Sequence, residues 1–565
     1  MRQYSYQQPG FNPSRYKRFA TVDLPDRTWP DQQIHRAPQW CSVDLRDGNQ
    51  ALIDPMSVDQ KQQMWHLLVR MGFKQIEVGF PSASKPDYDF VRWLIDDNQI
   101  PDDVTIQVLV QARDELIERT FESLVGVKRA IVHVYNSTSP VQRDRVFGMN
   151  RQGIMDIARH GAAKVQEVSE RYPDTEWVFQ YSPESFSNTE IDYAVEVCDA
   201  VTEIWRPTPN KPVIINLPAT VESSLPNHFA DQVESFCRKI QRRDSVVVSV
   251  HTHNDRGCAV AAGELALLAG ADRVEGTLMG NGERTGNMDI VTMAMNLYSQ
   301  GVDPQLDISI ADDIISTVES CTNIKTHPRH PWLGELVYTA FSGSHQDAIR
   351  KCLSVQGEDE HWDVAYLPIN PADIGRNYQS VIRVNSQSGK GGASYLIEQA
   401  LGVTLPRWFQ IELSQPVQAE TEAAGGELET KGLMSVLHKH FMSNDGLQLD
   451  SYQLESSKGI HRIQANINDG ENIQLVHGSG NGAISAFTDA IHKAYGIQVG
   501  IVQFDEQAVE EGTEAKAIAF VQANINGQRY TAAAQDEDTV QASIRAILTA
   551  VSQSEAVASG HTQTA

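Results

Sequence analysis

Two histidines one residue apart, in His251-Thr252-His253-Asn254-Asp255, close an apolar run and form the strongest chemical signal in the chain. Residues i and i+2 of a strand face the same side, so both imidazoles would point one way and could share a divalent cation. An isolated His-x-His reads slightly better as two satisfied histidines at a sheet end. Two further segments shift that balance. Asp47 closes another run in Asp44-Leu45-Arg46-Asp47-Gly48-Asn49-Gln50, and Asn287 ends Gly280-Asn281-Gly282-Glu283-Arg284-Thr285-Gly286-Asn287. Alone, Asp47 could cap a helix and Asn287 could serve a loop. Together, a carboxylate, two imidazoles and an amide form a mixed oxygen and nitrogen set that leaves coordination positions open for substrate. Such a set suits Lewis-acid catalysis better than a closed structural site. The Arg46 guanidinium could stabilise an oxyanion or simply pair with a carboxylate. Glu184, in Ser182-Pro183-Glu184, could move a proton, although in most settings it would be a solvated loop residue.

These side chains can meet only if the runs that carry them lie side by side. Eight β-branched or apolar runs, at 40–47, 75–80, 104–110, 130–135, 177–181, 213–217, 245–251 and 273–278, alternate with helix-like stretches. The latter include 57–71, 150–172, 189–204, 222–240 and 259–269. An open doubly wound sheet alternates in the same way. Eight units within the usual barrel length of ~250 residues predict instead a closed (β/α)8 TIM barrel, an α/β fold. Closure would set the first run beside the eighth and near the seventh, gathering Asp47, His251, His253 and Asn287 at the C-terminal rim, with Glu184 at the end of the fifth strand.

Beyond about residue 305 the pattern turns to helices and irregular connections, with helical stretches at 312–318, 345–351 and 392–401 and a Pro-rich segment at 367–372. This predicts a helical linker extension. A Glu/Gly-rich patch at 420–429 reads as a flexible boundary. Gln464-Ala465-Asn466-Ile467-Asn468 then recurs as Gln522-Ala523-Asn524-Ile525-Asn526, each copy flanked by strand-like runs and followed by a helix-like stretch. A duplicated α+β module whose halves face each other would offer a small ligand a pocket at their seam. The expected organisation is a lead over 1–34, the barrel over 35–305, the linker over 306–430, the duplicated domain over 431–552 and a disordered tail over 553–565.

Composition narrows the function classes. The 47 Lys and Arg against 73 Asp and Glu give a net charge of −26, which argues against nucleic acid or an anionic membrane as partner. No run approaches the ~20 apolar residues that span a bilayer. The six cysteines are scattered without a Cys-x-x-Cys pair, which suits a reducing compartment, and with a polar N-terminus predicts a cytoplasmic protein.

LRDGNQ, SPE, HTHND and GNGERTGN together resemble the acyl-CoA-condensing, metal-dependent barrel family, which also contains related lyases. Asn49, where many members carry Glu, and the long N-terminal lead are similar to the long-form members. The resemblance extends over roughly residues 30 to 550 and includes SGSHQD from Ser342, GRNY from Gly375 and RVNSQSGKGG from Arg383. It implies Asp47, His251, His253 and Asn287 as ligands of a divalent cation (Mg²⁺, Mn²⁺ or Zn²⁺), and Arg46, Glu184, His345 and Tyr378 as catalytic. His133, Ser182, Pro218 and Thr220 would line the 2-oxo acid pocket, and His345 and Tyr378 would reach the active site of the partner in a homodimer. The implied reaction condenses acetyl-CoA with 3-methyl-2-oxobutanoate and hydrolyses the thioester to 2-isopropylmalate and coenzyme A, the first committed step of leucine biosynthesis. Homocitrate or citramalate synthesis on the same scaffold is the alternative. A thioester α-proton is weakly acidic, so a base must act while the enolate is stabilised; Glu184, His345 and Tyr378 all stay open as that base. The duplicated domain resembles the family's feedback domain, implying leucine as effector and Gly480, Asn481, Gly482 and Ile484 as its contacts.

Overall fold

The computed structural model describes residues 12–376, 390–424, 428–509 and 516–561. They form two compact units, divided between Val337 and Tyr338.

In the first unit eight parallel strands close into a barrel: β1 (Gln39–Ser42), β2 (Gln75–Gly79), β3 (Thr105–Gln111), β4 (Arg129–Ser137), β5 (Glu176–Glu184), β6 (Val213–Ala219), β7 (Val246–Thr252) and β8 (Arg273–Gly276). The seam pairs Gln39 with Arg273 and Ser42 with Gly276. Every residue of β6 and nearly every residue of β3 and β7 is buried, because helices cover the outer face of the barrel and side chains from the other strands fill its interior. The covering helices start and stop where local chemistry dictates. Ser57 and Gln60 form a capping box at the head of Val58–Met71, and Gly72, at φ 101°, ends it in the left-handed conformation that costs other residues most.

The rim departs from the sequence reading at Asp47. β1 stops at Ser42, and Asp44–Gly48 winds into a π-helical turn. The buried Asp44 carboxylate accepts hydrogen bonds from the Ser42 hydroxyl at 2.7 Å and the Leu278 amide at 3.0 Å, pulling the chain out of the strand. Asp47 therefore owes its position to a turn.

In the second unit, helices Gly343–Leu353 and Lys390–Leu401 fall where the sequence places them. Helix Arg407–Ala424 lies outside the stretches the sequence marks as helical; it continues through Pro416 and takes in the first half of the patch read as a flexible boundary. Its Glu- and Ala-rich end is good helix-forming sequence. The duplicated module consists of two three-stranded antiparallel sheets, each followed by a helix. One contains β9 (Gln448–Ser457), β10 (Ile460–Asn468) and β11 (Ile473–Gly480), followed by Ala483–Tyr495. The other contains β12 (Val499–Ala508), β13 (Ala517–Ile525) and β14 (Gln528–Asp536), followed by Thr539–His561. The repeated pentapeptides occupy β10 and the end of β13. Both halves bury side chains in one core, Ile463, Phe487 and Ile491 with Val521, Ile547 and Val551. The last helix runs to His561, so residues 553–561 continue the helix where the sequence reading expected a disordered tail. No helix among the described residues is long and apolar enough to cross a membrane.

Candidate metal centre and active site

Asp47, His251 and His253 present ligand atoms within 4.8 Å of one another, all buried. His251 Nε2 is 3.6 Å and His253 Nε2 3.8 Å from Asp47 Oδ2. Asn287 donates from Nδ2 to the same oxygen at 2.8 Å. The His253 and Asn287 backbones are themselves joined in an antiparallel bridge, which fixes two of the four residues together.

Two ligand-type atoms, His253 Nδ1 and Asn287 Oδ1, are buried without a hydrogen-bond partner, a costly state for polar atoms that have nothing to hold. Burial would raise the Asp47 carboxyl, yet the Arg46 guanidinium, joined by His251 and His253, keeps it well below the usual carboxylate range. Burial likewise opposes a charge on His251, but Asp47 and Glu275 overcome it and lift the imidazole to about 9. Burial and the neighbouring His251 push His253 down to about 4, so its ring is neutral. An ionised carboxylate beside a neutral imidazole, with an imidazolium that would exchange its proton for a metal, fits a divalent cation.

Glycine shapes this rim by close approach. A Cβ on Gly276 would lie 2.5 Å from the Met288 carbonyl oxygen, next to Asn287. Gly276→Ala is therefore expected to lower unfolding stability by about 1–3 kcal/mol in denaturant titration, because Met288 must move.

The centre opens into a cavity of about 180 Å³. Arg46, Asp47, His133, Ser182, Glu184, Pro218, Thr220, His251 and His253 all line it, so the barrel brings these sequence candidates together. Arg46 bridges Asp47 and Glu77. His133 contacts Ser182 Oγ through Nε2 at 2.7 Å and Glu77 through Nδ1 at 2.9 Å. Glu184 accepts from the Ser137 hydroxyl, and Thr220 Oγ1 from the Ser185 amide at 2.9 Å.

Sequence reasoning missed Leu109, Tyr135 and Asn216 on the wall and Glu77 and Glu275 beneath it. The two glutamates did carry a signal: Glu77 is a charged residue between the apolar Ile76 and Val78 of β2, and Glu275 alternates with Arg273 on β8. His345 lies in the second unit, where its exposed ring stacks on Tyr366 with centroids 4.0 Å apart. Tyr378 lies outside the described residues.

In the duplicated domain, Asn481, Gly482 and Ile484 line a cavity with Val499, Ile501 and Val540, which belong to the other half. Gly480 stands at the end of β11, where a Cβ would meet Ser485 Oγ at 2.0 Å.

A family model described as HMGL-like matches residues 37–318. One described as alpha-isopropylmalate synthase, post-catalytic domain-like, matches 335–398, and one described as LeuA allosteric (dimerisation) domain matches 427–555. The chain is 53% identical over 543 residues to a 2-isopropylmalate synthase of Pseudomonas entomophila, covering 96% of this chain and 97% of that protein. It is 54% identical over 549 residues to one of Alcanivorax borkumensis, with the same coverage. Among solved structures, a hydroxymethylglutaryl-CoA lyase from Pseudomonas aeruginosa is similar at 18% identity and a TM-score of 0.41, covering 50% of this chain and 93% of that one.

Proposed function

The chain belongs to the 2-isopropylmalate synthase family, and from that premise we propose how its residues carry out the reaction. The enzyme condenses acetyl-CoA with 3-methyl-2-oxobutanoate and releases 2-isopropylmalate and coenzyme A. The observation that carries the residue assignments is the convergence of Asp47, His251 and His253 in the mouth of the barrel.

Asp47, His251, His253 and Asn287 would hold the divalent cation. When bound, it polarises and orients the 2-oxo acid. His133 and Ser182 offer polar contacts to that substrate, while Leu109 and Pro218 supply apolar wall for its branched chain. Arg46 keeps a positive charge where negative charge develops during carbon–carbon bond formation. Glu184 moves a proton within the same cavity, with His345 and Tyr378 reaching it from the other subunit of a homodimer as its candidate partners. Glu184→Gln keeps shape and hydrogen bonding but loses basicity, and kcat is expected to fall by about 10²–10⁴ with little change in KM for the 2-oxo acid. Steady-state kinetics check this, and an unchanged kcat would remove Glu184 from the chemistry.

The native cation is Mg²⁺, Mn²⁺ or Zn²⁺. The family model for the last domain supports a homodimer and leucine as effector, held near Gly480, Asn481, Gly482 and Ile484. The apolar wall of that cavity suits a branched aliphatic side chain. We place the enzyme in the cytoplasm. The domain limits proposed are a lead over 1–34, a barrel over 35–305, a linker over 306–430, a regulatory domain over 431–552 and a tail over 553–565. Coenzyme A release measured with a panel of 2-oxo acids tests the substrate. The expected preference is 3-methyl-2-oxobutanoate; a strong preference for 2-oxoglutarate or pyruvate would reassign it.

A further inference from the structure

Beneath the rim, a second group of acids and imidazole, Glu77, His133 and Glu275, also has the spacing of a metal site. Its lone pairs are already engaged. Glu275 is wholly buried on β8. Its Oε1 accepts from Arg273 Nη1 and Gln180 Nε2, each at 2.8 Å, and from Gln107 Nε2 at 3.1 Å. Its Oε2 accepts from Asn216 Nδ2 at 3.1 Å, and the one contact left is His251 Nδ1 at 2.9 Å. A carboxylate saturated in this way has no capacity for an ion of its own. It does fix the group that donates to it.

An imidazole binds metal through a nitrogen that carries no proton, and the partner of its other nitrogen decides which one that is. Holding N–H at Nδ1 leaves Nε2, the atom that faces Asp47, as the ligand. Arg273 has no solvent exposure and keeps Glu275 ionised by direct pairing. Asn216, which shares the second Glu275 oxygen, also donates to Ser182 Oγ at 3.1 Å in the substrate pocket.

We propose that Glu275 is the positioning residue of the metal centre, holding His251 with Nε2 toward the cation and, through Asn216, tying that site to the 2-oxo acid pocket. The proposal rests on the ligand assignment made above for Asp47, His251 and His253.

The test uses the full-length protein, stripped with chelator and titrated calorimetrically with Mn²⁺ alone. Glu275→Gln is expected to weaken Mn²⁺ binding about 10- to 100-fold and to raise KM for the 2-oxo acid. With diamagnetic Zn²⁺ bound in place of Mn²⁺, ¹⁵N shifts of the His251 ring should show the Nδ1–H form in the unaltered protein and a loss of that preference in the variant. Glu275→Asp keeps the charge but withdraws it by one methylene, so it should act in the same direction even if the Gln variant folds poorly. Ser249→Ala removes a neighbour that touches Arg273 (2.8 Å) without reaching His251, and should leave Mn²⁺ affinity within twofold. Glu275 variants with unaltered Mn²⁺ affinity and His251 shifts, or an equal loss in Ser249→Ala, would overturn the proposal. An unaltered protein that binds no Mn²⁺ would instead sink the ligand assignment itself.

Discussion

His253→Ala is expected to lose about 10³-fold or more in kcat/KM while unfolding at nearly the same temperature. The two effects separate because of what His253 touches. Its Nδ1 has no partner, and its Nε2 faces Asp47 from 3.8 Å, so the side chain adds little to the folded protein on its own account. The backbone, which does carry the fold here, is retained. His253 N donates to the Ala219 carbonyl at 3.2 Å, and its bridge to Asn287 involves no side chain. A cation lost from the site withdraws several kcal/mol of charge stabilisation, and about 4 kcal/mol corresponds to about a thousandfold in rate. Thermal unfolding and coenzyme A release on one preparation separate the two outcomes. Near-normal turnover would discredit the ligand assignment.

Arg46→Met is expected to damage stability and turnover together. The guanidinium bridges Asp47 and Glu77 with only 11% of its side chain exposed, so its removal leaves two carboxylates facing each other in a buried site. Breaking a buried pair from one side costs about 3–5 kcal/mol, most of it from the charge left behind. Burial already disfavours the ionised form of Glu77, and the Arg46 charge is the main influence holding it down. Without that charge protonation of one of the two acids becomes easier, and the developing negative charge of the reaction loses its counterpart. A loss of at least about 10²-fold in kcat is expected. Arg46→Lys should restore part of the stability and less of the rate, because a point charge cannot reach both acids as the planar fork does. Chemical denaturation and single-turnover kinetics measure the two effects. An unfolding midpoint close to that of the unaltered enzyme would mean that Arg46 does not balance these carboxylates.

The barrel was legible because its strands are buried on both faces and so appear as largely apolar runs, several of them ending in a polar residue that reaches the rim. The positions of His251, Glu184 and Pro218 follow directly from where β7, β5 and β6 stop. Asp47 was less legible, because the turn that aims it depends on Asp44 reaching the Leu278 amide 234 residues away. Pairing over such a span leaves no trace in local periodicity. The same is true of the Arg273 and Glu275 network. Their alternation on β8 signals charges turned to the barrel interior, but their partners lie on strands far away in sequence. Helix Arg407–Ala424 runs through Pro416, whose local chemistry breaks helices, and is held by packing that buries Phe409, Leu413 and Val417.

Diffraction from crystals soaked with Mn²⁺ and 3-methyl-2-oxobutanoate tests the arrangement most directly, since Mn²⁺ scatters anomalously. One strong anomalous peak is expected, within about 2.0–2.3 Å of ligand atoms from Asp47, His251 and His253, with the keto acid beside it. A peak elsewhere in the barrel, or a keto acid bound while those three side chains diverge, would contradict the account.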